Sequence, residues 1–256
     1  MILRILKEKE FNFFKVYTFF MELFTFKEFI INQDRCAMKV GTDGVLLGAW
    51  TTVENQPATI LDIGAGTGLL SLMLAQRSLA GTIEALEIDE DAYEQCVENF
   101  ERSTWADRLF CYHAGLDEFI AEIEEPYDLI ISNPPFYTEA VSSGNHSRDA
   151  ARQNQSLPFG ELLEGVSKLL AKNGLFATII PHKEETAFIR LAASFELYPK
   201  RILRVKGNPS AAIKRSLLEF SFAKKEVMEE ELVIEIKRHK YTLAYQELTK
   251  DFYLKM

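Results

Sequence analysis

The sequence predicts an α/β fold, a doubly wound and mostly parallel seven-stranded sheet with a terminal antiparallel strand pair. Three observations carry this. Short apolar runs alternate with helical patterns between residues 59 and 194, and parallel strands require such crossover helices. The first run opens directly into Gly64-Ala65-Gly66-Thr67-Gly68 and then an apolar helix, a unit whose glycines allow a tight turn and close approach of a ligand to the backbone. Near the C-terminus, residues 201–205 and 216–223 read as two strands, and the polar link between them leaves no room for a crossover helix, so that pair is antiparallel.

A chain of 256 residues with 47% hydrophobic content can bury the core of one such domain or of two small ones. We read residues 24–256 as a single domain and residues 1–23 as an N-terminal extension outside the fold, with Met21 as an alternative start. The extension is rich in Phe but interrupted by Lys7, Glu8, Lys9, Glu10, Lys15 and Glu22, too short and too charged to cross a bilayer, and no small-residue cleavage site closes it. A cytoplasmic protein is expected, with no membrane association and no obligate protein partner indicated. The net charge of -9 disfavours wholesale nucleic-acid binding while leaving room for a local basic patch. Cys36, Cys96 and Cys111 are odd in number and lack CxxC spacing, which points away from a disulfide framework and a zinc site, so no metal is expected.

Taken in order, residues 38–48 combine flexible glycines with a helical run, a loop entering a helix that Thr42 or Asp43 is placed to cap. Amides exposed at that end favour an anion such as a carboxylate. Residues 59–63 form the first parallel strand. Its Asp62 sits among apolar neighbours, and a buried carboxylate needs partners such as loop amides or a ligand ammonium. The glycine loop behind it departs from the dinucleotide fingerprint, because the third glycine follows the second by two residues instead of three. The second strand ends at Glu87, about 20 residues past the loop, where an acid meets a ribose diol, although acids end many strands by chance. Asp89 caps the helix that follows, whose Ala92, Cys96, Val97 and Phe100 share a core face. Residues 109–113 form the third strand, with His113 assigned to packing, and Ala114-Gly115-Leu116-Asp117 leads into a short helix.

The fourth strand, residues 127–132, delivers Asn133-Pro134-Pro135-Phe136. Prolines cannot continue a ladder and hold the preceding residue extended, so the Asn133 side chain and the Pro134 carbonyl are nearly fixed in place. Asn-Pro pairs commonly mark turns, and alone these residues read as a strand ending. Phe136 and the glycine loop upstream turn the reading toward a clamp, because ligands of such sheets lie beyond the carboxyl ends of the strands. The polar stretch between Tyr137 and Leu157, with His146, Arg148 and Arg152, reads as a substrate lid. A helix over residues 158–171, a fifth strand over 175–180 and a helix over 183–194 complete the repeat. Lys200, Arg201, Arg204, Lys206, Lys214 and Arg215 then concentrate positive charge, either a solvated face or a phosphate contact, offset by Glu229-Glu230-Glu231.

The glycine loop, Glu87, Asn133-Pro134-Pro135-Phe136 and the terminal strand pair together resemble the Rossmann-like class I S-adenosylmethionine-dependent methyltransferases, in the amino-methylating branch. Residues 38–50 (Met38-Lys39-Val40-Gly41-Thr42-Asp43-Gly44-Val45-Leu46-Leu47-Gly48-Ala49-Trp50) and Asp251-Phe252-Tyr253-Leu254 are similar to the bacterial tRNA1(Val) adenine-37 N6-methyltransferase family. The resemblance implies S-adenosyl-L-methionine as cofactor and tRNA as substrate. It assigns Asp62, Gly64 and Gly66 to the methionine end of the cofactor, Glu87 to its ribose hydroxyls, Ile88 and Asn133 to the cofactor site without a narrower role, and Lys39, Val40, Gly41 and Thr42 to closing over the methionine end. The acid that wider-class members carry after strand three is replaced here by Gly115, so a backbone amide near Leu116 stands in for the adenine contact. Asn133 and Pro134, held by Pro135, would take both N–H bonds of an exocyclic adenine amine, with Phe136 stacked on the base. Arg148, Arg152 and Arg215 are candidate tRNA contacts on charge clustering alone.

Four rival readings share parts of this pattern. A glutamine-directed protein methyltransferase faces the same electronic problem, but such enzymes usually carry Tyr at the Phe136 position and a preceding helical domain. A DNA adenine methyltransferase would bring a large target-recognition insertion. An NAD-linked oxidoreductase, or a non-catalytic RNA-binding module on the same fold, differs in cofactor use or in lacking methyl transfer.

Overall fold

The computed structural model describes residues 23–123, 125–135 and 157–255. A small antiparallel hairpin, β1 (Leu23–Thr25) and β2 (Ile30–Asn32), comes first, and Leu23 already pairs with Asn32. Helix α1 (Thr42–Trp50) follows. The alternating region then runs β3 (Thr59–Ile63), α2 (Leu69–Arg77), β4 (Thr82–Glu87), α3 (Glu90–Glu101), β5 (Leu109–His113), α4 (Leu116–Glu122) and β6 (Tyr127–Ser132). After the undescribed stretch come α5 (Phe159–Leu169), β7 (Leu170–Pro181), a short 3-10 turn (His182–Glu184), α6 (Glu185–Ala193), β8 (Tyr198–Lys206), β9 (Ile213–Ser221) and β10 (Met228–Val233). A second hairpin, β11 (Glu235–Lys237) and β12 (Lys240–Tyr241), and helix α7 (Leu243–Thr249) close the chain.

The central sheet has the order β10-β8-β9-β7-β6-β3-β4-β5. Strands β3 to β7 are parallel, and β9 runs antiparallel to both β7 and β8, as the short link predicts. The sheet carries one strand more than the seven expected. The addition is β10, which pairs parallel to β8 through the run that reads as solvated charge in the sequence. Its acids meet the basic residues of β8: Arg204 Nη1 lies 2.7 Å from Glu229, and Lys206 Nζ 2.8 Å from Glu231. The positive cluster of the sequence is therefore largely paired within the protein.

Alternation along the strands divides the core into two layers. Ile60, Leu129 and Ile131 face one side with α1, α2, Phe100 of α3 and the aromatic pair Phe26 and Phe29. Leu61 and Ile130 face the other with Leu116, Phe119, Leu162, Val166 and Phe188 from α4, α5 and α6. Asp62, between Ile60 and the end of β3, points into the first layer beneath α2, where Ser71 awaits it.

At the far end of that layer Glu219, 0% exposed on β9, accepts bonds from the Thr52 amide (2.6 Å) and hydroxyl (2.9 Å), with Arg201 Nη1 at 3.4 Å. Arg201 also donates to the Thr52 hydroxyl and lies 4.4 Å over the Trp50 ring. Tertiary contact thus fixes the end of α1. Its start differs from the sequence expectation, because the cap is Gly41 with no side-chain cap bond, while Asp43 instead receives Arg215 Nε at 2.7 Å.

Candidate active site

The carboxyl ends of β3, β4, β5 and β6 face a cavity of about 570 Å³. The glycine loop forms its floor. Gly64 and Ala65 each donate their amide to the Leu86 carbonyl at 2.9 Å, which pins the loop to the end of β4. Gly64 and Gly66 have φ of +76° and +54°, and a Cβ on either would meet nothing within 4 Å, so the space above them is open to a ligand. Gly68 is different. Its φ is +78°, and a Cβ there would lie 2.5 Å from Phe100 Cε1 and 2.9 Å from Cys96 Sγ, so this glycine serves packing.

Glu87 stands at the end of β4 with its carboxylate spread over three amides. Oε2 accepts from Gly66 at 2.8 Å, and Oε1 accepts from Ile88 and Asp89 at 2.9 Å each. These bonds hold an anion at the cavity wall in one orientation, which suits recognition of a diol.

Asn133 lies directly after β6, whose Ser132 hydroxyl donates to the Ile63 carbonyl at 2.8 Å and ties the two strand ends together. Its Oδ1 is buried and lacks a hydrogen-bond partner among the described residues. An unpaired buried carbonyl is destabilising by about 1–3 kcal/mol, so the site is built for an incoming donor. Gly44 of α1 packs close to Asn133 without lining the cavity. A Cβ there would lie 2.9 Å from Leu69 Cδ2 and 3.9 Å from Asn133 Nδ2, which brings the start of α1 against the clamp.

Asp62 Oδ1 is likewise buried and unpartnered, while Oδ2 accepts from the Ser71 amide (3.2 Å) and hydroxyl (2.8 Å). Burial pushes its carboxyl up to about 7, opposed by the two Ser71 bonds and reinforced by the charge of Glu87.

Gly64, Gly66, Glu87, Ile88, Leu116, Asn133, Pro134 and Pro135 all line the cavity. Asp62 and residues 39–42 do not. Residues 36–38 take the wall position nearest them, and Val40 is held instead by its amide bond to Gln33 Oε1 at 2.8 Å. Phe136, Arg148 and Arg152 lie outside the described residues. Arg215 is at the start of β9, ion-paired with Asp43. Sequence reasoning missed the contribution of α5, whose Glu161, Glu164, Gly165 and Lys168 complete the far wall. The available signal was Gly165 inside an otherwise regular helix, since a Cβ there would sit 2.5 Å from Leu116 Cδ2. Among the described residues no group of His, Cys, Asp and Glu has a metal-holding arrangement, and no helix is long and apolar enough to cross a membrane.

Residues 43–197 match the family model "Methyltransferase small domain". The chain is 61% identical over 237 residues to the tRNA1(Val) (adenine(37)-N6)-methyltransferase of Flavobacterium johnsoniae, covering 91% of this chain and 100% of that one. It is 47% identical over 239 residues to the protein of the same name from Bacteroides fragilis, covering 91% and 98%. Among solved structures, a predicted O-methyltransferase, Atu636 from Agrobacterium tumefaciens, superposes with a TM-score of 0.64 at 17% identity, covering 82% of this chain and 96% of that one, which shows a shared fold. The glycine loop, the Glu87 wall and the Asn-Pro-Pro mouth stand within the matched span, and the chain belongs to the tRNA1(Val) (adenine(37)-N6)-methyltransferase family.

Proposed function

We propose that this protein methylates the exocyclic N6 of adenine 37 in tRNA1(Val), using S-adenosyl-L-methionine, and works in the cytoplasm as one catalytic unit over residues 24–256. The observation that carries the reading is the buried, unpartnered Asn133 Oδ1 on the wall of a cavity shared with the glycine loop and Glu87. The relatives named above support the choice of substrate.

The residues present fit the cofactor. Open space over Gly64 and Gly66 and the two unpartnered oxygens are the features a ligand of this chemistry would satisfy. Asp62 Oδ1 would take the ammonium group, Glu87 the ribose hydroxyls, and Ile88 and Leu116 would flank the adenine ring. Lys39, Val40, Gly41 and Thr42 lead into α1 and would close the methionine end. When bound, the cofactor supplies an electrophilic methyl group on a sulfonium.

The protein's own task is to make a weak nucleophile competent. The lone pair of an adenine amine is delocalised into its ring. Asn133 Oδ1 and the Pro134 carbonyl would accept the two N–H bonds and favour a pyramidal nitrogen, while Pro135 fixes the backbone that aims them. Their placement before substrate arrives avoids reorganisation during reaction. Phe136 would stack on the base once it has left its own stack. The nitrogen becomes cationic, and one of its two N–H protons acidic, only after the methyl has arrived, so no strong general base is needed.

Asn133→Ala should lower kcat at least about a hundredfold, the scale of removing one preorganised polar group, with cofactor affinity retained. Mass spectrometry of nucleosides from a tRNA1(Val) transcript and calorimetry with S-adenosylmethionine read the two quantities. Wild-type turnover in the variant would refute the clamp, and absence of N6-methyladenosine with wild-type protein would refute the substrate.

A further inference from the structure

We infer that the β11–β12 hairpin is an RNA-docking arm that grips the phosphate backbone of the substrate away from the reacting base. This rests on the tRNA reading above. The hairpin presents Lys237-Arg238-His239-Lys240, four consecutive basic or potentially basic residues, all exposed. Among the described residues, Lys237, Arg238 and Lys240 form none of the ion pairs that occupy Arg201, Arg204, Lys206 and Arg215. The one carboxylate engaged at the turn, Glu235, spends Oε1 on the His239 amide at 3.1 Å.

The arm is held firmly on the edge of the sheet where Asn133 lies. Strand β10 runs parallel to β8, and β8 in turn runs in the direction of β7 and β6, so the ends of all four emerge together. The Ile234 and Glu235 amides donate to the Lys206 and Gly207 carbonyls at 2.9 Å each, and the Thr242 amide to the Ile234 carbonyl at 2.9 Å. The Thr242 hydroxyl adds a bond to the Val233 carbonyl at 2.6 Å. In the strand order β10 stands four places from β6, about 19 Å at roughly 4.8 Å per strand. That separation reaches backbone several nucleotides from the flipped base.

The hairpin gathers like charges that a bound anion would relieve. Lys237 and Lys240 are directly opposite in the ladder, and like charges so placed repel. His239 occupies φ +62°, a region that L residues rarely adopt. A chain of net charge -9 repels a polyanion overall, so its attraction has to be concentrated, and an exposed basic tip on the same edge of the sheet as the site does this. Contact with phosphates is sequence-independent and serves to position the substrate.

The test compares wild-type protein with Lys237→Ala/Arg238→Ala/Lys240→Ala and with Lys240→Glu, using a tRNA1(Val) transcript. Filter binding across a salt series should show the log–log slope of the triple variant reduced by about 2–3, since each lost phosphate contact removes about 0.7–0.9. KM for tRNA should rise at least about tenfold with kcat and cofactor affinity retained. Lys240→Glu turns the cross-strand repulsion into attraction, so its melting temperature should hold or rise while tRNA binding weakens, which separates RNA contact from folding. A wild-type slope and KM in the triple variant, with the wild-type enzyme methylating the transcript, would overturn the arm alone. No methylation by the wild-type enzyme would overturn the tRNA reading and the arm with it.

Discussion

Asp62→Asn should make the protein's stability and its cofactor affinity lose a shared pH dependence. The Asp62 carboxyl is fully buried, with one oxygen on Ser71 and the other unpartnered, and burial lifts it from the usual 3.8 to about 7. Between those two values the folded chain holds a proton that the unfolded chain has released. Stability from this group is therefore full below pH 3.8 and falls as pH rises toward 7, by about 1.4 kcal/mol per pH unit and about 4 kcal/mol in all. Asparagine does not titrate and has no such slope. Urea unfolding of both proteins at pH 5, 6, 7 and 8 should show the variant gaining on wild type up to pH 7 and keeping pace beyond it. On the proposed role of Asp62 as partner of the cofactor ammonium, which requires the ionised carboxyl, S-adenosylmethionine affinity of wild type should climb about tenfold per pH unit below 7 and then level off, while the variant binds weakly and evenly. Parallel stability curves for the two proteins from pH 5 to 7 would refute the account.

The two kinds of loop glycine should separate on substitution. Gly68→Ala combines a left-handed φ with a contact of 2.5 Å to the Phe100 ring and should destabilise by about 2–4 kcal/mol, whereas Gly64→Ala meets no atom and should lose about 1–2 kcal/mol, both read by denaturant midpoints. Arg201→Ala leaves Glu219 buried without its cation and should destabilise by about 3 kcal/mol, with Glu219→Gln in the same background recovering part of the loss. Glu87→Gln keeps the shape of the wall but weakens its charge-assisted bonds, and calorimetry should show S-adenosylmethionine binding at least tenfold weaker, about 1.4 kcal/mol.

What could be read from the sequence follows from how local each determinant is. The inner strands β3, β6 and β7 announce themselves because a strand buried on both faces is a continuous apolar run, and the glycine loop because left-handed backbone selects glycine within a few residues. Glu87 and Asn133 were legible since strand order places their ends together. Strand β10 was not. Glu229-Glu230-Glu231 looks solvated until Arg201, Arg204 and Lys206, about 25 residues earlier, are laid beside it. The same limit hid residues 36–38 and the α5 wall, which reach the cavity only after the two layers have packed on the sheet. Arg215 illustrates the converse: clustering in sequence suggested a phosphate contact, whereas folding presents Asp43 to it.

The acids of β10 have a consequence for the molecule in company. A strand at the rim of a sheet offers unpaired backbone groups to any extended peptide, and β10 holds that rim with three exposed carboxylates in a row. These carboxylates are held by Arg201, Arg204 and Lys206 of β8, so a second copy approaching there meets a row of charged, solvated side chains before it meets a hydrogen-bond partner. The opposite rim, β5, exposes Phe110 and Tyr112 with no comparable row of charges on the strand itself among the described residues, although the Tyr112 hydroxyl is tethered to Glu84 at 2.8 Å. Self-association of this protein at high concentration should therefore begin at β5, and a lysine at position 110 is the substitution that would suppress it.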